Sequence, residues 1–338
     1  MLLIEAGGHV DEDPIELPED SLEHLAEDDG QGFHDHPDSW DDDRWELENR
    51  LGKEKEMSRL EAYGVFTPVP RDQAVGKYVT TRWEEIPKWK QGRWVVRSRF
   101  VAREYRWQQP NCDDIFGVTS SSNTSRLLDL LLAKNPNFNA HTADVECAFF
   151  HAPEPEDCIV EPPLEWLEQH PGTDWVWKLE RQLQGRQKAP RMFGDFSNEI
   201  ITEKVGFTRC AEVPHLYHHV KEQVSLEVHV DDFYAVGPGT APERLLNQIG
   251  EHLTLLIEGP DHDGNPSFTH LKQRRTVTKE GVWIQPSENH LKKLLDLCGL
   301  DERSKPRETP ITKEVATLEP SEPLQDEEIR RYRAIVGV

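Results

Sequence analysis

The stretch VHVDDFYAVG, residues Val228–Gly237, decides the fold. An extended apolar run over Ser225–Val230 halts at Asp231–Asp232, resumes over Phe233–Val236 and ends at Gly237, which predicts a hairpin carrying two carboxylates at its bend. An Asp-Asp pair in an acidic protein is usually a solvated turn, but carboxylates set between apolar strands are costly to bury without a partner. Upstream, ADVECAFFHA (Ala143–Ala152) closes a short strand predicted over His141–Glu146 and places Asp144 near its end. QLQGRQKAPRMF (Gln182–Phe193) lies between the two and leads into an amphipathic helix over Ala189–Lys204. Phe193, Phe196 and Ile200 share one side of it, with Pro190 tolerated in the first turn.

Further out, WVVRSRFVAREY (Trp94–Tyr105) alternates in the strand period. Arg97, Arg99 and Arg103 fall on one face, Val96, Phe100 and Ala102 on the other. TSRLLDLLLAK (Thr124–Lys134) reads as a helix, Cys158–Glu161 as a short strand, and Pro242–Ile257 as a helix burying Leu245, Ile249, Leu253 and Leu256. A last helix over Ser287–Cys298 closes at Gly299. Antiparallel strands mixed with helices make the class α+β.

The net charge of −24 is concentrated at one end. Met1–Glu56 carries about 20 acidic and 4 basic side chains, is punctuated by Pro and Gly, and is predicted to be a disordered arm. The remainder is mildly acidic, and Arg82–Trp107 reverses sign with about eight Arg or Lys against three Glu. The five cysteines show no Cys-x-x-Cys spacing, so neither a zinc site nor a disulfide framework is suggested. The first residues lack the basic flank of a signal peptide, and the longest apolar cluster, Leu127–Ala133, is broken by Asp129. The expectation is an intracellular protein with no membrane partner.

An Asp ending one strand opposite an Asp-Asp hairpin is a donor set suited to two divalent ions about 4 Å apart, as in-line phosphoryl transfer requires. The ordered motifs also carry a family resemblance. Asp144 followed by Ala148-Phe149, Gly185 through Pro190, and Val230-Asp231-Asp232 resemble the reverse transcriptase of copia-type LTR retrotransposons. RSRFVAREY (Arg97–Tyr105), IFGVTSSSNTSRLLDLLLA (Ile115–Ala133) and ETPI (Glu308–Ile311) extend the likeness.

The resemblance implies a right-hand polymerase fold of fingers, palm and thumb with an antiparallel palm sheet. The acidic arm would occupy residues 1–56, the N-terminal fingers 57–118, the palm with the remaining fingers segment 119–255, and a thumb-like region 256–311. Residues 312–338 would begin a connection to an RNase H domain that the chain lacks, which implies a piece of a Pol polyprotein with integrase and RNase H as further partners. Asp144, Asp231 and Asp232 would be the catalytic metal ligands for two Mg²⁺ or Mn²⁺ ions. Arg97, Arg99, Phe149 and Gln184 would meet the deoxynucleoside triphosphate. Lys188, Arg191 and His229 would contact an RNA or DNA template with its primer. Localisation would be cytoplasmic, in a virus-like particle, with nuclear access.

Each of these roles has a plainer counterpart. The lesser alternatives are a core residue for Phe149 and a solvated edge strand for Arg97 and Arg99, while for Lys188 and Arg191 an exposed helix cap is an equal alternative. The sequence also departs from the family pattern. His229 stands where Tyr is usual, Glu104 adds a negative charge beside the nucleotide path, and Lys272 replaces a Gly, straining the turn if positive φ is needed there. A catalytically degenerate, nucleic-acid-binding remnant that keeps the palm is therefore the alternative. A metal-dependent hydrolase on the same carboxylates lacks any His placed by motif.

Overall fold

The computed structural model describes residues 37–90, 92–104, 121–259, 267–301, 303–305 and 325–336. Most of the acidic arm, Ile115–Ser120 and Glu308–Ile311 lie outside them. In chain order, α1 (Asp42–Ala62) is followed by β1 (Phe66–Pro70), β2 (Lys77–Val79), β3 (Thr81–Lys90) and β4 (Arg93–Ala102). Next come α2 (Ser122–Lys134), β5 (Phe138–Val145), α3 (Ala148–His151), β6 (Cys158–Val160), α4 (Leu164–Gln169) and β7 (Trp175–Leu179). The chain continues through α5 (Ala189–Glu199), β8 (Thr208–Arg209), β9 (Leu216–His219), β10 (Val224–His229), β11 (Asp232–Pro238), α6 (Ala241–Gly250) and β12 (Leu255–Glu258). It ends with β13 (Ser267–His270), β14 (Gln273–Thr278), β15 (Gly281–Gln285), α7 (Glu288–Cys298) and α8 (Asp326–Val336).

The six-stranded sheet β12-β5-β11-β10-β9-β8 is antiparallel at every pairing. Its centre is the stretch read first, and β11 is apolar on both faces for a reason. Phe233 and Ala235 pack with Phe193, Leu245 and Ile249 on one side, while Tyr234 and Val236 pack with Leu128 and Leu132 of α2 on the other. A central strand covered on both sides reads as a continuous apolar run. A second core forms around Trp177, Phe100, Leu179 and Trp166, where Phe66 stacks on Trp177 at 3.6 Å.

The chain divides into two compact units, Met1–Leu271 with Arg275–Trp283, and Lys272–Arg274 with Ile284–Val338. The predicted thumb-like stretch 256–311 is thus shared between the two. In the second unit α7 and α8 contact each other, and Gly299 caps α7 at φ 67°.

Two expectations are corrected. The helix predicted over Pro242–Ile257 stops at Gly250, and Leu255–Glu258 instead forms edge strand β12, paired with β5. Leu253 is buried as expected, but after the chain has left the helix. The disordered arm does not extend to Glu56, because Asp42–Ala62 is helical. Asp41 caps it, accepting a hydrogen bond from the Arg44 N–H at 2.9 Å. Its packing face is Asn49, Gly52, Glu56 and Leu60, which is helical spacing written mostly in polar residues. Ser98 donates to the Asn49 side chain at 3.0 Å, the Phe100 N–H donates to Glu56 at 3.4 Å, and Leu60 is buried. An apolar-periodicity reading cannot see such a face.

Gly52 is the tightest point of that contact. A Cβ there would lie 2.4 Å from the Val96 carbonyl oxygen, so α1 rests backbone to strand on β4. Gly52→Val is expected to lower stability by about 1–3 kcal/mol, the usual cost of overpacking, measurable by thermal unfolding. An unchanged melting temperature would mean that α1 is not seated on β4.

Lys272 occupies the β13–β14 turn at φ 59°, beside Leu271 at φ 49°. A residue with a side chain therefore does hold the left-handed conformation that the glycine comparison anticipated.

Candidate active site

Register brings the carboxylates together. On adjacent antiparallel strands Asp232 of β11 lies directly opposite Asp144 of β5, a geometry that holds Cα atoms about 4.5–5.5 Å apart and projects both side chains from one face. His229 pairs with Asp232, so the β10–β11 turn is the two residues Val230 and Asp231. The Val145 N–H donates to the Asp231 carbonyl at 2.9 Å, tying that turn to the end of β5. Asp231 is exposed, whereas Asp144 and Asp232 are half-buried. Val230 has φ 56°, which a β-branched residue adopts only under strain of about 1–3 kcal/mol, and Cys147, three residues after Asp144, has φ 47°. Both strained positions flank the carboxylates.

Burial, then the neighbouring Asp231 and Asp232, push the Asp144 carboxyl up to about 7, with Glu146 adding to the rise and Arg97 opposing it. Negative charge is thus in excess here, and hard carboxylate oxygens are the donors that Mg²⁺ and Mn²⁺ take. The residues fit a divalent ion in kind. They do not converge fully: among the described residues no group of three His, Cys, Asp or Glu is gathered closely enough to hold a metal.

The structure brings Arg97 to this centre and places Arg99 two residues along the same strand face, opposite Glu84. Burial, with Arg99 and Arg59 nearby, pulls the Arg97 guanidinium below its ordinary range. Phe149 is half-buried and meets Phe193 edge-on at 6.3 Å, against the core under the sheet. Gln184 lends its carbonyl to the Ala102 N–H at 2.7 Å. Gly185, at φ 84°, approaches Ala102 so closely that a Cβ would lie 2.0 Å from its carbonyl oxygen. That glycine is needed for close backbone contact with β4. Lys188 pairs with Glu156, and Arg191 with Asp195 at 3.0 Å one helical turn on; both are half-buried. His229 is half-buried at the end of β10.

Glu104 is not the stray negative charge anticipated. Its side chain is 4% exposed, receives Arg186 at 2.9 Å and the Gln187 N–H at 2.9 Å, and pairs with Lys77. Burial would raise its carboxyl, but Lys77, Gln187 and Arg186 together hold it below the usual range. Arg186, 1% exposed at the side chain, also binds Glu154 at 3.0 Å and Glu156 at 3.2 Å. This ion cluster fixes the turn before α5 against the end of β4.

Residues 63–254 match the family model described as reverse transcriptase (RNA-dependent DNA polymerase), more than half of the chain. The chain belongs to the reverse transcriptase family. Comparison with curated proteins returns no match. Among solved structures, apo telomerase from Candida tropicalis, truncated from its C-terminal domain, aligns at TM-score 0.40 and 8% identity, over 70% of this chain and 60% of that one. The foamy viral protease-reverse transcriptase with double-stranded DNA aligns at TM-score 0.42 and 16% identity, over 76% of this chain and 37% of that one. Telomerase from Candida albicans, in complex with a fragment of telomeric RNA, aligns at TM-score 0.42 and 9% identity, over 70% and 50% of the two chains. The chain thus spans between 37% and 60% of the length of these three chains.

Sequence reasoning missed three charged groups near this part of the molecule. Glu146 is buried two residues from Asp144, Glu56 is buried within electrostatic reach of Arg97 and Arg99, and Arg59 lies 4.0 Å from Glu146. Glu146 stood inside the quoted motif and its proximity to Asp144 was available. Arg59 and Glu56 had no signal, because the helix that delivers them lacks an apolar stripe.

Proposed function

We propose that this chain is the polymerase of a copia-type LTR retrotransposon, extending a primer on an RNA or DNA template from deoxynucleoside triphosphates. The pairing of Asp144 with Asp232 across adjacent strands, with Asp231 in the intervening turn, carries the reading. Asp144, Asp231 and Asp232 would hold two Mg²⁺ or Mn²⁺ ions, which when bound activate the primer 3′-hydroxyl and neutralise the leaving pyrophosphate. Mg²⁺ retains water and takes ligands from substrate phosphates, so two or three protein carboxylates suffice. Arg97 and Arg99 would grip the triphosphate through their planar donor sets. Phe149 would wall the sugar, Gln184 would contact the nucleotide, and Lys188, Arg191 and His229 would line the template and primer path. Integrase and RNase H would accompany the chain as other parts of a polyprotein. The place of action would be a cytoplasmic virus-like particle with nuclear access; among the described residues no helix is long and apolar enough to cross a membrane.

The test is extension of a DNA primer annealed to RNA by the purified chain with Mg²⁺, then Mn²⁺. Product lengthening that needs all four deoxynucleotides is expected. The lack of a three-donor group among the described residues favours a second reading, the degenerate remnant. That reading predicts salt-sensitive duplex binding with no product in either metal, and this result would overturn the first.

A further inference from the structure

The turn that carries Asp231 is strained at Val230, and a strained backbone persists only where its surroundings over-determine it. One rung below the carboxylates, the hairpin is held on both strands. Glu227 of β10 and Tyr234 of β11 are register partners, each two residues from the pair His229 and Asp232. Side chains alternate across a sheet, so Glu227, Tyr234, Asp232 and Asp144 project from the same face.

A single helix holds both partners. Ser125 Oγ donates to Glu227 Oε2 at 2.7 Å, and Tyr234 Oη donates to Asp129 Oδ1 at 2.9 Å. Ser125 and Asp129 are four residues apart in α2 and so stand on one face of it. The β13–β14 hairpin meets the same two carboxylates: Arg275 Nε donates to the Asp129 oxygens at 3.1 and 3.3 Å, and His270 Nε2 lies 3.4 Å from Glu227 Oε2. Glu227 and Tyr234 are wholly enclosed. An apolar filling of this space would be at least as stable, since desolvating carboxylates offsets most of what their pairing returns. Hydrogen bonds add direction instead, fixing the depth and tilt of each strand against α2.

We propose that Ser125 and Asp129 of α2 clamp the rung formed by Glu227 and Tyr234 and thereby position Asp232 as a metal ligand. The clamp rests on the polymerase reading above, since it serves the same carboxylates. Its members act through Asp232 and are positioning residues. Mg²⁺ accepts only near-ideal octahedral placement of its oxygen ligands, so a small shift of Asp232 lowers its affinity.

The experiment titrates the full chain with Mn²⁺, reading the free ion by electron paramagnetic resonance, and then displaces it with Mg²⁺. Only binding that is lost in Asp144→Asn counts, because the acidic N-terminal stretch also attracts cations. Tyr234→Phe and Ser125→Ala each remove one hydroxyl and are expected to weaken both ions about 10-fold. Tyr217→Phe is the control: its hydroxyl donates to Asn198 at 3.1 Å, and with its register partner Leu226 it belongs to the core on the opposite face of the sheet. That variant should lose a similar amount of melting temperature and keep metal affinity within about twofold. Should Tyr234→Phe fail to fold, Ser125→Ala carries the measurement. Affinities within about twofold of wild type in the clamp variants would overturn the proposal, and a loss in only one of two folded variants would overturn a clamp on both strands. An equal loss in Tyr217→Phe would do the same, because the sheet would then be loosened as a whole. A wild type with no ion binding that depends on Asp144 sinks the polymerase reading and the clamp together. One that binds ions and extends primer, with unchanged affinity in the variants, sinks the clamp alone.

Discussion

Asp144→Asn is expected to reduce primer extension at least ~10³-fold and, in the same preparation without metal, to make the protein more stable at neutral pH. The two effects share one cause. Asp144 sits half-buried opposite Asp232 with Asp231 in the adjoining turn, and its carboxyl is pushed up to about 7 by burial first and by those two neighbours next. In the unfolded chain it ionises near 3.8. Folding therefore binds a proton between those values, so metal-free stability falls as pH rises from about 4 to about 7 and is level above. The fall is on the order of 2 kcal/mol once solvent screening of a partly buried group is discounted. Asn has no charge to lose, so the variant's stability should be flat over that window and higher than wild type at pH 8. Saturating Mg²⁺ should reverse the ranking, since an ion bound only by the folded wild type adds about 2.7 kcal/mol at a hundred times its dissociation constant. Thermal unfolding at pH 5 and pH 8, with and without Mg²⁺, reads all four states. An Asp144→Asn protein that polymerises normally would remove the carboxylates from the chemistry.

The palm was legible because its signals are local and apolar. The hairpin around Asp231–Asp232, the strand ending near Asp144, and the helices bearing Phe193 and Leu128 each show a period that survives without tertiary context. The register of Asp144 against Asp232 was not legible, since pairing is set by the turn of Val230 and Asp231 and by the sheet as a whole. Helix α1 was hidden for another reason. Its packing face is Asn49, Gly52 and Glu56 as much as Leu60, and much of its contact with β4 is polar or backbone to backbone. The same blindness affected Glu104, which looked like a misplaced charge until Arg186, 82 residues on, was found beside it. Charges that pair across the fold leave no mark in a window of neighbours. The Leu253–Leu256 stretch failed in the opposite direction, where apolar spacing continued past Gly250 and suggested helix that the edge of the sheet took as strand.

Arg186→Leu is expected to cost about 3–5 kcal/mol, the largest loss of stability for any single change considered, because removing one partner strands buried carboxylates. Arg186 is almost wholly enclosed and its guanidinium serves three glutamates at once, Glu104 at 2.9 Å, Glu154 at 3.0 Å and Glu156 at 3.2 Å. Glu104 and Glu154 are themselves enclosed, so neither can turn to water when the cation is gone. Glu156 is more exposed and retains Lys188, which limits its share of the loss. For a chain of 338 residues the loss corresponds to roughly 4–7 °C in melting temperature. The triple variant Arg186→Leu, Glu104→Leu, Glu154→Leu should recover most of that, since apolar replacement of a whole buried ion cluster is often neutral. The held-down Glu104 carboxyl gives the wild-type cluster a pH signature. Its contribution is full above the ordinary glutamate range and is lost as pH falls through the lower folded value. Arg186→Leu should therefore lose less on acidification than wild type does. The cluster joins the turn preceding α5 to the end of the strand bearing Arg97 and Arg99, so a loosened Arg186→Leu protein should also show a raised nucleotide KM at permissive temperature. A triple variant that stayed as unstable as Arg186→Leu would place the cost in lost packing around Gly185 and Ala102 and not in the orphaned charges.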